Sequence, residues 1–311
     1  KIFVAVCPRS GTTWIAHMIE RHPNVIKLEG ESHLYKLLYD PFTYLKNMPL
    51  RQRLNRRNWI LKHYGPTPIL SGFNSDNLWN GLLRTYQFYK WSGKDSGPHM
   101  TVGYKTFETL VKKAKAGEGE ALCKVTRLIK SIFDVSFYEQ GGSSQTMLEK
   151  TPMHIKFASN ILQSFPEARI VEVVRDVRSI CASWQARAKT QRWAHRSTTR
   201  LVAQWIRCVE AGDRAALLEN NRIIRLKYED LRQSPHTWLS STFDFAKLPT
   251  NSDQISEIVD ALSIEKVSQK GEGQHVRHGK VDGWKEELSS ADIEICNRMA
   301  GPLLERLGYV V

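Results

Sequence analysis

The residues with the clearest chemical potential lie within the first 14 positions, in Cys7-Pro8-Arg9-Ser10-Gly11-Thr12-Thr13-Trp14. They follow a short apolar run, Ile2–Val6, and open a segment with Trp14, Ile15, Met18 and Ile19 on one helical face. A strand, a tight loop and a helix in this order make an anion site: backbone N–H groups at the helix start point at the ligand, and the helix dipole favours negative charge there. Gly11 allows close backbone approach, Ser10, Thr12 and Thr13 add hydroxyl donors, and Arg9 adds a cation. An ordinary βα turn with a threonine helix cap uses the same residue types. A nucleotide-hydrolase or kinase loop needs G-x-x-x-x-G-K-[ST]; aligned on it, this chain has Thr12 in place of the lysine and Val6 in place of the first glycine. The cation sits earlier, at Arg9, which argues against ordinary magnesium–nucleotide turnover.

Further motifs extend the pattern. Leu148-Glu149-Lys150-Thr151-Pro152 precedes Phe165-Pro166-Glu167-Ala168-Arg169, then Val174-Arg175-Asp176-Val177-Arg178, with Ser183 eight residues after Arg175. Near the C-terminus stand Lys227-Tyr228-Glu229-Asp230-Leu231 and Arg277-His278-Gly279-Lys280-Val281-Asp282-Gly283-Trp284-Lys285. Together, in this order, these segments resemble the sulfotransferases that use 3′-phosphoadenosine 5′-phosphosulfate (PAPS). The arginine in the second place of the loop is similar to the tyrosylprotein and many bacterial members; the cytosolic steroid and phenol enzymes usually carry lysine there.

That resemblance implies a site. Arg9, Ser10, Gly11, Thr12, Thr13 and Trp14 would form the 5′-phosphosulfate loop. Arg175 and Ser183 would clamp the 3′-phosphate, with Arg187 one turn further on the same helix. Physical chemistry is compatible: an arginine fork binds phosphate oxygens in pairs, and eight residues are about 2.2 helical turns. A helix-capping Asp176 beside a solvated Arg175 is the plainer alternative. Tyr228 would lie near the nucleotide, and Arg277, His278 and Gly279 would fold over it. Lys150 would meet charge on the departing oxygen, and Glu31, in Glu31-Ser32-His33, would be the general base, with Glu29 and His33 as alternatives and Lys105 and His99 as weaker ones. The implied reaction moves a sulfuryl group from PAPS to a hydroxyl or amine, releasing PAP, with no metal expected.

These residues need a scaffold. A second unit, helical over His154–Phe165, extended over Arg169–Val174 and helical again after Asp176, repeats the strand-to-helix theme. A helix over Arg200–Leu218 and a strand over Arg222–Leu226 follow. Such alternation predicts an α/β fold, a mainly parallel central sheet flanked by helices, in one domain over residues 1–311. Residues 40–145 differ, being rich in aromatics, and read as an acceptor-side insertion of helices and loops. Within it Gly103-Tyr104-Lys105 hints at a strand and Lys112–Gly119 reads as a surface loop.

The bulk composition narrows the partners. The formal charge of +13 favours anionic ligands, including a nucleotide, and leaves nucleic acid as a competing reading supported by charge alone. Basic clusters occur at Arg51, Arg53, Arg56, Arg57 and Lys62 and at Arg187, Lys189, Arg192, Arg196 and Arg200. No apolar run approaches the roughly 20 residues that span a bilayer. Five scattered cysteines without zinc spacing fit a reducing compartment. The expectation is a cytoplasmic enzyme, or a Golgi-lumenal one if an anchor has been trimmed. A small-molecule acceptor is favoured, with glycan or peptide as alternatives, and a homodimer is compatible.

Overall fold

The computed structural model describes residues 1–35, 97–119, 121–263 and 281–311, together with the single residues 79, 83, 86, 90 and 266. Five strands form one wholly parallel sheet: β1 (Ile2–Ala5), β2 (Val25–Lys27), β3 (Thr146–Lys150), β4 (Arg169–Val174) and β5 (Ile223–Lys227). Their order in space is β2-β3-β1-β4-β5. The central strand, Ile2-Phe3-Val4-Ala5, is buried throughout, as expected of a parallel strand covered on both faces.

Helices supply the cover. They are α1 (Thr12–Glu20), α2 (Tyr104–Ala116), α3 (Ala121–Glu139), α4 (Ala158–Ser164), α5 (Val177–Ala188) and α6 (Thr198–Leu218), then α7 (Tyr228–Gln233), α8 (Pro235–Ala246), α9 (Ser252–Ala261), α10 (Trp284–Glu287) and α11 (Ser290–Arg306). Phe133 of α3 meets Phe3 of β1 edge-on at 5.7 Å, and Phe165 closes the same aromatic cluster. Of these helices, none is long and apolar enough to cross a membrane.

The topology fixes where a ligand would bind. β1 lies between β3 and β4, so the connections diverge from it to the two sides of the sheet. In open α/β sheets the crevice at the carboxyl ends of such strands is the ligand site. Register makes this concrete: Val4 pairs with Lys150 and Ala5 with Glu172. The loop after β1 is therefore flanked by Lys150 on one side and by Arg175, just past β4, on the other.

Two sequence expectations are corrected here. Gly103-Tyr104-Lys105 is not a strand but the start of α2, and Lys112–Ala116 continues that helix, leaving only residues 117–119 as a loop. Phe107, Val111 and Ala114 are buried at helical spacing, while Lys112, Lys113 and Lys115 are good helix formers. Polarity there marked an exposed face, not missing structure. β2 and β3 were not anticipated as strands. Most of residues 40–96 and the cluster from Arg51 to Lys62 lie outside the described residues.

Candidate active site

The loop between β1 and α1 has the backbone of an anion cradle. Arg9 (φ 78°) and Gly11 (φ 89°) are both left-handed on either side of Ser10. A non-glycine residue held there costs roughly 1–3 kcal/mol, a strain that clusters at functional sites. Gly11 caps α1 with no side-chain hydrogen bond, so the threonines are not spent as helix caps, and the first turn carries no acid. An ideal Cβ on Gly11 would stand 2.5 Å from Cδ2 of Tyr228, so only glycine fits beneath that ring. Ser10 is fully buried, and its Oγ has no hydrogen-bond partner among the described residues. A buried hydroxyl left unmatched is costly unless a ligand satisfies it.

The second motif converges on the same loop. Arg9 donates from Nε to Oγ of Ser183 at 2.9 Å, and Nη1 of Arg175 lies 3.5 Å from the carbonyl oxygen of Arg9. The Arg175 guanidinium rests on the Tyr228 ring, 4.2 Å from its centroid, and is not a solvated side chain. Asp176 does cap α5, accepting from the Arg178 backbone at 2.8 Å. Both parts of the plainer reading are thus separated: the cap exists, and Arg175 still faces the loop. Arg187 is half-buried one turn beyond Ser183. Trp14 is buried, its indole donates to the Leu262 carbonyl at 2.7 Å, and its ring lies edge-on to Tyr228 at 6.2 Å.

On the other flank, Lys150 Nζ donates to Glu31 Oε1 at 2.7 Å, and His33 Nε2 stands 3.5 Å from Glu31 Oε2. Three of the predicted reactive residues are therefore one cluster. Glu29 is exposed, its backbone N–H donating to Gln140 Oε1 at 3.0 Å, and Lys105 is exposed on α2. His99 is half-buried in a short 3-10 turn, Pro98–Met100. Arg277, His278 and Gly279 lie outside the described residues. The segment just after them is docked on α5: Ser179 donates to the Val281 carbonyl at 2.9 Å, and Arg178 stacks 4.0 Å above Trp284.

Sequence reasoning missed a buried group behind Lys150. Glu149 accepts from Ser32 Oγ at 2.9 Å and from Thr151 Oγ1, while His154 Nδ1 lies 3.1 Å from its other oxygen. Burial pushes the Glu149 carboxyl up, but attraction to His154 and the hydrogen bonds outweigh it and hold the group below the usual carboxylate range. A carboxylate inside an apolar run of a central strand, Met147-Leu148-Glu149, was the available signal. His17, one turn beyond Thr13, was also missed. Burial, with Lys27, Lys150 and Arg21 adding and Glu20 opposing, holds its imidazole below the ordinary value.

A family model described as Sulfotransferase family matches residues 1–252. The chain belongs to the Sulfotransferase family. Among curated relatives it is similar to Protein-tyrosine sulfotransferase 1 of Danio rerio, 23% identical over 179 residues, which cover 55% of this chain and 50% of that protein. The chain thus spans about half the length of the curated relative it matches. Among solved structures it is similar to mouse sulfotransferase SULT7A1 complexed with PAP, with a TM-score of 0.51 and 10% identity over 99% of this chain and 89% of that one. At that identity the likeness carries the sulfotransferase fold alone.

Proposed function

We propose that the chain is a PAPS-dependent sulfotransferase acting on a hydroxyl acceptor. The observation that carries this reading is the meeting of two phosphate-binding elements at one loop: Arg9 on Ser183, and Arg175 over the loop and Tyr228. Two such elements side by side suit a nucleotide with phosphate at both its 5′ and 3′ positions. A buried Ser10 hydroxyl without a partner among the described residues and a glycine that a Cβ cannot replace both fit such an anion. When bound, PAPS supplies an electrophilic sulfuryl group on a phosphate leaving group.

The chain's own residues then divide the work. Gly11 and the first turn of α1 hold the 5′-phosphate with Ser10, Thr12 and Thr13, and Arg9 adds a positive charge at the bridging oxygen. Arg175 and Ser183, extended by Arg187, hold the 3′-phosphate. Glu31 takes the acceptor's hydroxyl proton, and Lys150, in contact with it, stabilises negative charge at the sulfuryl end. His33 is the alternative base, adjacent to the same carboxylate.

A small-molecule acceptor accords with the aromatic composition of the insertion. A tyrosyl peptide is the second reading, favoured by the likeness to a protein-tyrosine sulfotransferase. Five cysteines present as free thiols accord with a reducing compartment.

Thermal unfolding with and without PAP, then acceptor screening with labelled PAPS against a phenol panel and a tyrosyl peptide, tests the proposal. PAP stabilisation and label transfer that fails in Glu31→Gln are expected. Absence of PAP stabilisation overturns the donor assignment.

A further inference from the structure

Glu31 reaches Lys150 from a segment with little regular structure, so something must hold that segment. The backbone gives the first sign: His33 has φ 51°, a left-handed conformation that a non-glycine residue keeps only when its surroundings over-determine it. Ser32, directly before His33, and Tyr35, two residues after it, are both tied to one buried pair. Ser32 Oγ donates to Glu149 Oε1, and Tyr35 packs edge-on against His154 at 5.3 Å while stacking on Phe157. Because a carboxylate only accepts, Nδ1 of His154 carries the hydrogen in its 3.1 Å contact with Glu149. On the outer side, the Gly97 backbone N–H donates to the Glu31 carbonyl oxygen at 2.8 Å.

We propose that Glu149, supported by His154, is a positioning residue for the transfer reaction, anchoring residues 32–35 to β3 so that the Glu31 carboxylate is delivered to Lys150. The inference rests on the reading of Glu31 and Lys150 given above. Glu149 is 2% exposed and His154 is fully buried, so water does not compete for these bonds. Glu149 is also excluded as the reacting base. One of its oxygens accepts from Ser32 and Thr151 and the other meets His154, leaving it no open approach. Since Glu149 and Lys150 are adjacent on β3, one strand end sets both partners of the ion pair: Lys150 directly, and Glu31 through Ser32.

The test needs no known acceptor. An amine held in a charge-assisted hydrogen bond and largely buried is shielded from acetic anhydride. Competitive acetylation of Lys150, read by mass spectrometry of its peptide, therefore reports the ion pair. Glu31→Gln, which weakens that bond, is expected to raise Lys150 labelling roughly threefold. Ser32→Ala, which removes one hydroxyl and leaves the fold able to form, should raise it equally, with no further rise in the double variant and with recovery in Ser32→Thr. Glu149→Gln should follow Ser32→Ala if it folds. Wild-type labelling in Ser32→Ala alongside raised labelling in Glu31→Gln overturns the inference, as does a general rise at surface lysines such as Lys247. Unchanged labelling in Glu31→Gln removes the ion pair and the inference with it. Raised labelling in Glu31→Gln with undiminished PAPS turnover instead removes the base role of Glu31 and leaves the anchoring standing.

Discussion

Arg9 and Ser183 are 174 residues apart in sequence, yet Nε of the one donates to Oγ of the other at 2.9 Å. The contact joins the loop after β1 to the helix after β4, which are neighbours only because those strands pair. Ser183→Ala removes a hydroxyl that accepts from Arg9 and that the proposed site assigns to the 3′-phosphate. PAP binding should weaken by about 1.5–3 kcal/mol, roughly ten- to a hundredfold in Kd. Calorimetric titration with PAP checks this, and an unchanged Kd takes Ser183 out of the nucleotide site.

Gly11 sits at φ 89° with Tyr228 pressed against its α-carbon. In Gly11→Ala the new methyl meets the ring at 2.5 Å, and the left-handed backbone adds strain. The variant should lose about 1–3 kcal/mol of stability and most of its response to PAP. Combining it with Tyr228→Leu should restore stability in part but not PAP binding, as thermal unfolding with and without PAP will show.

Glu149 makes stability depend on acid. Its carboxyl is held below the ordinary value in the folded chain, so its contribution is fully present above the unfolded value, near 4.5, and is lost as pH falls through the lower folded value. Chemical denaturation of wild type between pH 3 and 7 should show stability falling at the acid end. Glu149→Gln should be less stable near neutrality and show a flatter acid limb; parallel curves for the two proteins would contradict the assignment.

Gly212 lies inside α6, where alanine ordinarily stabilises a helix by about 1 kcal/mol. Here the sign reverses. A methyl at Gly212 would stand 2.3 Å from Glu172 Oε1, and Arg225 grips that carboxylate through Nε at 2.8 Å and Nη2 at 3.1 Å, so it has no room to yield. Gly212→Ala should therefore cost about 1–3 kcal/mol. A raised melting temperature would show that the carboxylate moves freely.

The loop after β1 and the segment from Arg175 to Ser183 were legible because their pattern is local. A strand of apolar residues, a glycine, hydroxyls and an amphipathic start lie within a few positions, and the helical period alone puts Ser183 on a definable face. Glu31 and Lys150 were legible as separate motifs through their likeness to a family, not as a pair. β2 and β3 escaped notice for a physical reason. Three residues, Val25–Lys27, and a strand containing Glu149 and Lys150 lack the apolar continuity that marked β1 and β4. The charged stretch of α2 misled in the opposite way, since its buried stripe is set by spacing and not by average polarity.

The order of the motifs and the types of residue that bind anions were determined by the sequence itself, because strand–loop–helix geometry arises within short stretches of chain. Only the tertiary structure decided which of those groups share a space. Parallel pairing of β1 with both β3 and β4 sets Lys150 and Arg175 on opposite flanks of one loop, and burial turns Glu149 and His154 into the anchor for Glu31. The contacts that tie Glu31 to Lys150, Ser32 to Glu149 and Arg9 to Arg175 each span more than 100 positions, and they exist because hydrogen bonds between strands and exclusion of water act through space, whatever the separation along the chain.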